Sequence, residues 1–227
     1  MEIPQKIAVR SANCWIYPAF GRVFSQKKGT SRTPCAVIDP GSDAELIIER
    51  LEELNAYPRV FLLTHGHFDH VGATPELAVY YTEQEVGIEI AVHRDDAAYL
   101  GADSFEAHRR CWVRAAGNAD YIAEFWRPMP DPTQFIDEGD RIGSLRVLHL
   151  PGHSPGSVAF YDEAARLIFT GDCLFRRSFG RADLPGGDRT RLWESLQRLC
   201  TLDDAVAVYP GHGETTSIGA ERRRLLS

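Results

Sequence analysis

At 227 residues, 44% of them hydrophobic, the chain is long enough to bury a substantial core, and β-rich sandwiches of this size commonly form one domain. Its 25 Lys and Arg against 32 Asp and Glu give a net charge of −7, which argues against nucleic acid as a partner, since a phosphate backbone is held by bulk positive charge. The first residues, Met1-Glu2-Ile3-Pro4-Gln5-Lys6, lack the apolar core of a signal peptide and no later run approaches a membrane span, so the expectation is a cytoplasmic protein with no membrane partner.

In chain order, residues 13–17 read as a strand, and the polar segment 25–34, with Lys27, Lys28 and Gly29, as a solvated hairpin turn. Cys35-Ala36-Val37-Ile38 is a second strand, stopped by Asp39-Pro40-Gly41. Residues 43–54 carry Leu46, Ile47, Leu51 and Leu54 at helical spacing with charges between them, which predicts a helix packed by one face.

The apolar run Val60-Phe61-Leu62-Leu63 reads as a buried strand, and it leads directly into Thr64-His65-Gly66-His67-Phe68-Asp69-His70. In an extended segment side chains alternate, so His65 and His67 face the same way and grip one ion from one side. A turn after them swings Asp69 and His70 toward a second point. Imidazole with carboxylate suits a first-row divalent metal, and the stretch alone leaves one ion or two open.

Thr74-Pro75-Glu76-Leu77 starts a helix, with Pro in the first turn and Tyr80-Tyr81 near its end, and Ile88-Glu89-Ile90-Ala91-Val92 is the next strand. Residues 95–133 are irregular: the first half is helical by pattern and the Pro-rich end is a loop. The segment is either a cap over the site or a structural surface helix pair. Residues 141–148 alternate and turn as a hairpin, and 157–161 with 166–169 form another around the turn 162–165. Helices are predicted at 189–199 and 220–226.

Further ligand types sit at the ends of these later strands. His153 lies in Leu150-Pro151-Gly152-His153-Ser154-Pro155-Gly156, Asp172 in Phe169-Thr170-Gly171-Asp172, and His212 in Tyr209-Pro210-Gly211-His212-Gly213. Each has a Gly beside it, which lets backbone approach a crowded site. His93, His108 and His149 have no such partners and read as ordinary hydrogen-bonded residues. Cys14, Cys35, Cys111, Cys173 and Cys200 are scattered without Cys-x-x-Cys spacing and read as free, mostly buried thiols, with Cys173 a packed core thiol.

His-x-His-x-Asp-His, then Gly-His-Ser-Pro-Gly, Gly-Asp and Pro-Gly-His-Gly, in this order, resembles the metallo-β-lactamase superfamily, specifically its glyoxalase II-like hydrolases, from about Asn13 onward. The resemblance implies an αββα sandwich, two mixed sheets face to face with helices outside, in a single domain spanning residues 1–227 that lacks the extra helical C-terminal portion of full-length glyoxalase II. It implies two divalent metal ions, zinc first with iron or manganese as alternatives. His65, His67 and His153 would hold the first, Asp69, His70 and His212 the second, with Asp172 bridging. In the family an Asp-Pro-Gly before the first helix supports the site from behind, but Asp39 alone reads here as a strand stop.

The implied chemistry is hydrolysis of a thioester such as S-lactoylglutathione by a hydroxide held between the metals, with Asp69 orienting the hydroxide as well as ligating. Glyoxalase II has a cation at the position of Arg181 and a Tyr at that of Asp183. The cation is kept, so Arg181 is carried over as substrate-binding, against an equal reading in which it pairs with Asp183 or Asp188 to hold a loop. Alternatives are a persulfide dioxygenase using one iron on His65, His153 and Asp172, and a lactone or ester hydrolase. A true β-lactamase fits less well, because those enzymes generally lack the bridging Asp172. A structural metal module would need a closed ligand shell, whereas seven ligands for two ions leave positions for water.

Overall fold

The computed structural model describes residues 4–8, 12–18 and 31–225; the turn expected at Lys27 to Gly29 lies outside them. In chain order the elements are β1 (Gln5–Ala8), β2 (Asn13–Tyr17), β3 (Thr33–Ile38), α1 (Ala44–Glu53), β4 (Ala56–Leu62), α2 (Phe68–Val71), α3 (Thr74–Glu83), β5 (Glu89–His93), a 3₁₀ turn (Arg94–Tyr99), α4 (Phe105–Ala116), α5 (Asp120–Phe125) and β6 (Gln134–Ile136). There follow β7 (Arg141–Ile142), β8 (Leu145–His149), β9 (Val158–Asp162), β10 (Leu167–Gly171), β11 (Leu174–Phe175), β12 (Ser178–Phe179), α6 (Arg189–Leu199), β13 (Ala207–Pro210), β14 (Thr216–Ser217) and α7 (Ile218–Leu225).

Period-two alternation of apolar side chains sets the layers. Cys14 and Ile16 of β2, Cys35 and Val37 of β3 and Phe61 of β4 bury one face of the first sheet under Ile47 and Leu51 of α1 and Leu77 and Tyr81 of α3. Their neighbours Trp15, Tyr17, Ala36, Ile38, Val60 and Leu62 turn to the other face and meet Val147, Phe160 and Phe169 of the second sheet. The far side of that sheet, with Ala159, Ile168 and Val208, is covered by Leu192 and Leu196 of α6 and Ile218 of α7. Helix, sheet, sheet, helix is the outcome, as the motifs imply.

The first sheet has the order β1-β2-β3-β4-β5-β6 and the second β14-β13-β10-β9-β8-β7, both mixed. From β3 to β6 the strands are parallel, as are β10 and β13. Their C-terminal ends come out along one rim, where Val158 N donates to Thr64 O (2.8 Å) and Asn13 N to Gly211 O (2.6 Å), joining one sheet to the other. No helix among the described residues is long and apolar enough to cross a membrane.

Two expectations change. Leu46 is 41% exposed: the packed line of α1 is Ala44, Ile47 and Leu51, and Leu46 falls beside it. His65 and His67 sit not on a strand but in the loop between β4 and α2, because the chain leaves the sheet after Leu62 to begin the helix that carries Asp69 and His70.

Phe169 is fully buried between the sheets, against the rings of Trp15, Tyr17 and Tyr209. Phe169→Ala is expected to lower the unfolding free energy by about 3–5 kcal/mol, read from urea denaturation. A loss below about 1 kcal/mol would mean that the interface between the sheets is not the central core.

Candidate active site

Five residues of the rim cluster follow strand ends, and α2 supplies the other two. β4 leads to His65 and His67, α2 presents Asp69 and His70, β8 leads to His153, β10 to Asp172 and β13 to His212. Backbone approach explains two glycines here. Gly171 has φ of +48° and a Cβ on it would lie 2.3 Å from Thr64 Oγ1; a Cβ on Gly211 would lie 2.3 Å from Asp172 Oδ1.

All seven side chains converge. His67 Nδ1 faces His153 Nε2 at 2.9 Å, and the His65 ring lies 4.7 and 4.8 Å, centroid to centroid, from these two rings. Beside this trio, His70 Nε2 stands 3.3 Å from His212 Nε2, and Asp69 Oδ2 stands 3.4 Å from His212 Nε2. Asp172 lies between the two groups, with Oδ1 3.3 Å from His70 Nε2 and Oδ2 3.6 Å from His153 Nε2 and 3.4 Å from His212 Nε2. Two nitrogens held about 2.0–2.1 Å from one zinc in a tetrahedral site stand roughly 3.3 Å apart, so these spacings match a shared ion. His65 Nε2 is buried with no hydrogen-bond partner, as a ligand atom would be before its ion is added.

The rings are held in one tautomer by what lies behind them. A carboxylate only accepts, so His70 Nδ1–H donates to Asp39 Oδ2 at 2.9 Å and Nε2 is turned to the rim. Asp39 also accepts from Thr64 N (2.8 Å) and Thr64 Oγ1 (2.6 Å). With its own proton spent on Asp39, Thr64 Oγ1 accepts from His65 Nδ1–H at 3.1 Å. His153 Nδ1–H donates to the Arg181 carbonyl at 2.7 Å. Three rings thus present Nε2 to the same rim, the role such partners play behind metal ligands. Asp39 is therefore not a mere strand stop: it is 1% exposed and orients His70 directly.

Burial, then the neighbouring rings, push His65 well below the usual histidine range and His67 down to about 3. For His70 and His212 burial pulls down too, but carboxylates outweigh it. Asp172, Asp69 and Asp39 hold His70 well above its usual value, and hydrogen bonds to Asp172 and Asp69 take His212 to about 9. Against the upward pull of burial, His70 and His212 bring Asp69 to about 2 and Asp172 well below its usual value. His65 and His67 are held neutral and Asp69 and Asp172 ionised, as a cation requires of its donors, whereas His70 and His212 hold protons that a bound cation would displace.

Residues 30–212 match the metallo-beta-lactamase superfamily. The chain belongs to that superfamily. Among its relatives, a Haemophilus influenzae protein named hydroxyacylglutathione hydrolase GloC is 37% identical over 194 residues, covering 83% of this chain and 84% of that one. A solved structure of TTHA1623 in a di-iron-bound form superposes with a TM-score of 0.77 at 35% identity, covering 97% of both chains. That of BLEG-1 B3 metallo-beta-lactamase gives 0.73 at 29%, again over 97% of both. Divalent-metal binding is a property of the superfamily, and the His and Asp clusters at this rim are where such an ion fits.

Within this metallo-β-lactamase fold one polar residue has no signature in the sequence. Asp96, fully buried in the 3₁₀ turn after β5, accepts from Gly66 N (2.9 Å), Gly156 N (2.7 Å) and Ser154 Oγ (2.7 Å). It ties the His65–His67 loop to the His153 loop. Its carboxyl is pushed up by burial, with those hydrogen bonds pulling it back. His93 and His149 stack at 4.1 Å with their planes 14° apart. With Asp95 their ligand atoms come within 4.8 Å of one another, but His93 Nδ1 accepts from Asp95 N (3.2 Å) and His149 Nε2 faces Pro155 O (2.9 Å), away from the rim set.

A cleft of about 400 Å³ opens over the rim, walled by α4, the β11–β12 hairpin and the following loop. Of the two readings of residues 95–133, the cap is the one that fits: α4 contributes His108, Cys111 and Trp112 to the wall. Arg181 also lines it, yet its guanidinium is fixed on Asp183 by bonds of 2.6 and 2.7 Å.

Asp96→Ala leaves two backbone N–H groups and one hydroxyl without their acceptor, and is expected to cost about 3–5 kcal/mol in urea unfolding. Asp96→Asn, which keeps one acceptor oxygen, should fall between it and the wild type. Equal stability of all three proteins would remove the clamp role.

Proposed function

We propose that the chain is a two-metal hydrolase that cleaves thioesters of 2-hydroxy acids, of which S-lactoylglutathione is the representative. The observation that carries this reading is the pair of donor trios with Asp172 between them. His65, His67 and His153 would hold one ion, Asp69, His70 and His212 the second, and Asp172 would touch both. Mixed imidazole and carboxylate donors suit zinc and also iron or manganese, and the di-iron form of a 35% identical relative supports iron as a second choice. The name of the GloC relative supports the thioester as substrate.

Bound there, such ions would act as Lewis acids and bring the pKa of water to roughly 7. The rest falls to the chain. Asp69, ionised and a quarter exposed toward the cleft, offers a carboxylate oxygen to the proton of an attacking water and aims it. Asp39, through His70, and the Arg181 carbonyl, through His153, keep the rings from turning while the substrate enters. A thiolate is a good leaving group, so no strong general acid is demanded. A one-iron persulfide dioxygenase shares these motifs, and what supports the two-metal reading over it is the di-iron-bound form of a 35% identical relative.

Metal-loaded protein should hydrolyse S-D-lactoylglutathione, followed by loss of thioester absorbance, and a chelator should stop it. Asp172→Ala should abolish turnover with an unchanged circular dichroism spectrum; full activity in this variant would sink the two-metal reading. Asp39→Ala leaves His70 Nδ1–H and Thr64 N without acceptors. Its metal affinity, measured by competition with a chromophoric chelator, should drop about 10–100-fold, and wild-type affinity would show that Asp39 does not act through His70.

A further inference from the structure

The cleft wall carries information about the substrate that the rim does not. Outside the ligand cluster its apolar part is built from Phe68, Trp112, Ala115, Ala116, Phe175 and Leu184, with His108, Cys111 and Arg181 beside them. Of the polar side chains beside them, His108 and Cys111 each make one hydrogen bond within the protein, and His108 Nδ1 is buried without a partner. His108 Nε2–H donates to Tyr99 O at 2.9 Å, and burial holds its pKa at about 4, so it is neutral. Cys111 Sγ is hydrogen-bonded to Tyr99 Oη at 3.0 Å.

The cleft lining holds one arginine among the described residues, Arg181, which pairs with Asp183, a carboxylate it shares with Arg114. A carboxylate arriving on a substrate would have to compete with Asp183 for Arg181. Trp112 stacks on Tyr121 at 4.7 Å with planes 15° apart and meets Phe68 edge-on, so the aromatic wall is pre-formed. A volume of about 400 Å³ lies at the small end of ligand pockets and suits a ring or branched alkyl group.

We propose that the thioester cleaved here bears an uncharged aromatic or branched-alkyl group that packs against Phe68, Trp112, Phe175 and Leu184, and that glutathione is not recognised through its carboxylates. The proposal rests on the thioester reading above. Burying such a group is expected to raise kcat/KM by about tenfold or more.

The test compares metal-loaded protein on S-D-lactoylglutathione, on S-mandeloylglutathione, where a phenyl replaces the methyl, and on the S-lactoyl thioester of benzyl mercaptan, where an uncharged aryl thiol replaces glutathione. At least one aryl substrate should exceed lactoylglutathione tenfold or more in kcat/KM, mainly through KM. Trp112→Ala should collapse that ratio. Ala116→Arg, at an exposed position, should fold normally, obstruct the wall and shift the ratio toward the anionic glutathione thioester. Lactoylglutathione matching or exceeding both aryl substrates would overturn the apolar-group proposal and leave the thioester reading intact. Cleavage of none of the three would overturn the thioester reading, and the proposal with it.

Discussion

The rim depends on keeping imidazoles and carboxylates together where water is largely excluded. His65, His67, His70 and His153 are all nearly inaccessible, with Asp39 behind them and Asp172 among them. Taking charged groups out of water costs several kcal/mol each unless hydrogen bonds and opposite charges replace the water. Asp39 accepts three hydrogen bonds and Asp96 another three. These two carboxylates work in different directions. Asp39 turns rings toward the rim, and Asp96 holds two ligand-bearing loops at a fixed separation. The sandwich supplies the rest, because every ligand leaves the end of a strand or the turn after it, so its position is set by packing within and between the two sheets.

Much of this is legible in the sequence, and for a common reason. Strands 13–17, 35–38 and 157–161 alternate or run apolar between Gly and Pro signals, so local pattern and final burial agree. The seven rim residues are legible because the chemistry restricts them to His and Asp, five of them next to a glycine. Asp39 and Asp96 escape for the opposite reason. Asp39 sits in Asp-Pro-Gly, which a turn already explains, and Asp96 sits in Arg94-Asp95-Asp96, which looks like surface charge. Their importance lies in partners 25 to 60 residues away in the chain, which no local pattern reports. Leu46 shows the same limit in reverse: helical spacing marks a face several residues wide, and only packing decides which of them the sheet covers.

Chemistry and selectivity are separated in this molecule. The groups fit to hold metal come from strand ends of the two sheets, while the wall that meets the remainder of a substrate comes from α4 and the β11–β12 hairpin, outside the sandwich core. On the proposed reading, changes in α4 would alter which thioester is accepted without moving His65, His153 or Asp172. Such a separation is consistent with function residing in the site and its surroundings rather than in the fold.

The central claim is that the seven rim residues form two adjoining cation sites with Asp172 between them. The most direct measurement is metal content: strip the purified chain with chelator, reload it with Zn²⁺ or Fe²⁺, remove loose ions by gel filtration and count ions per chain. Two ions per wild-type chain, falling to one or none when His70 or His212 is replaced by Ala, is the expected result. One ion per chain in the wild type, unaffected by loss of His70 or His212, would contradict the account.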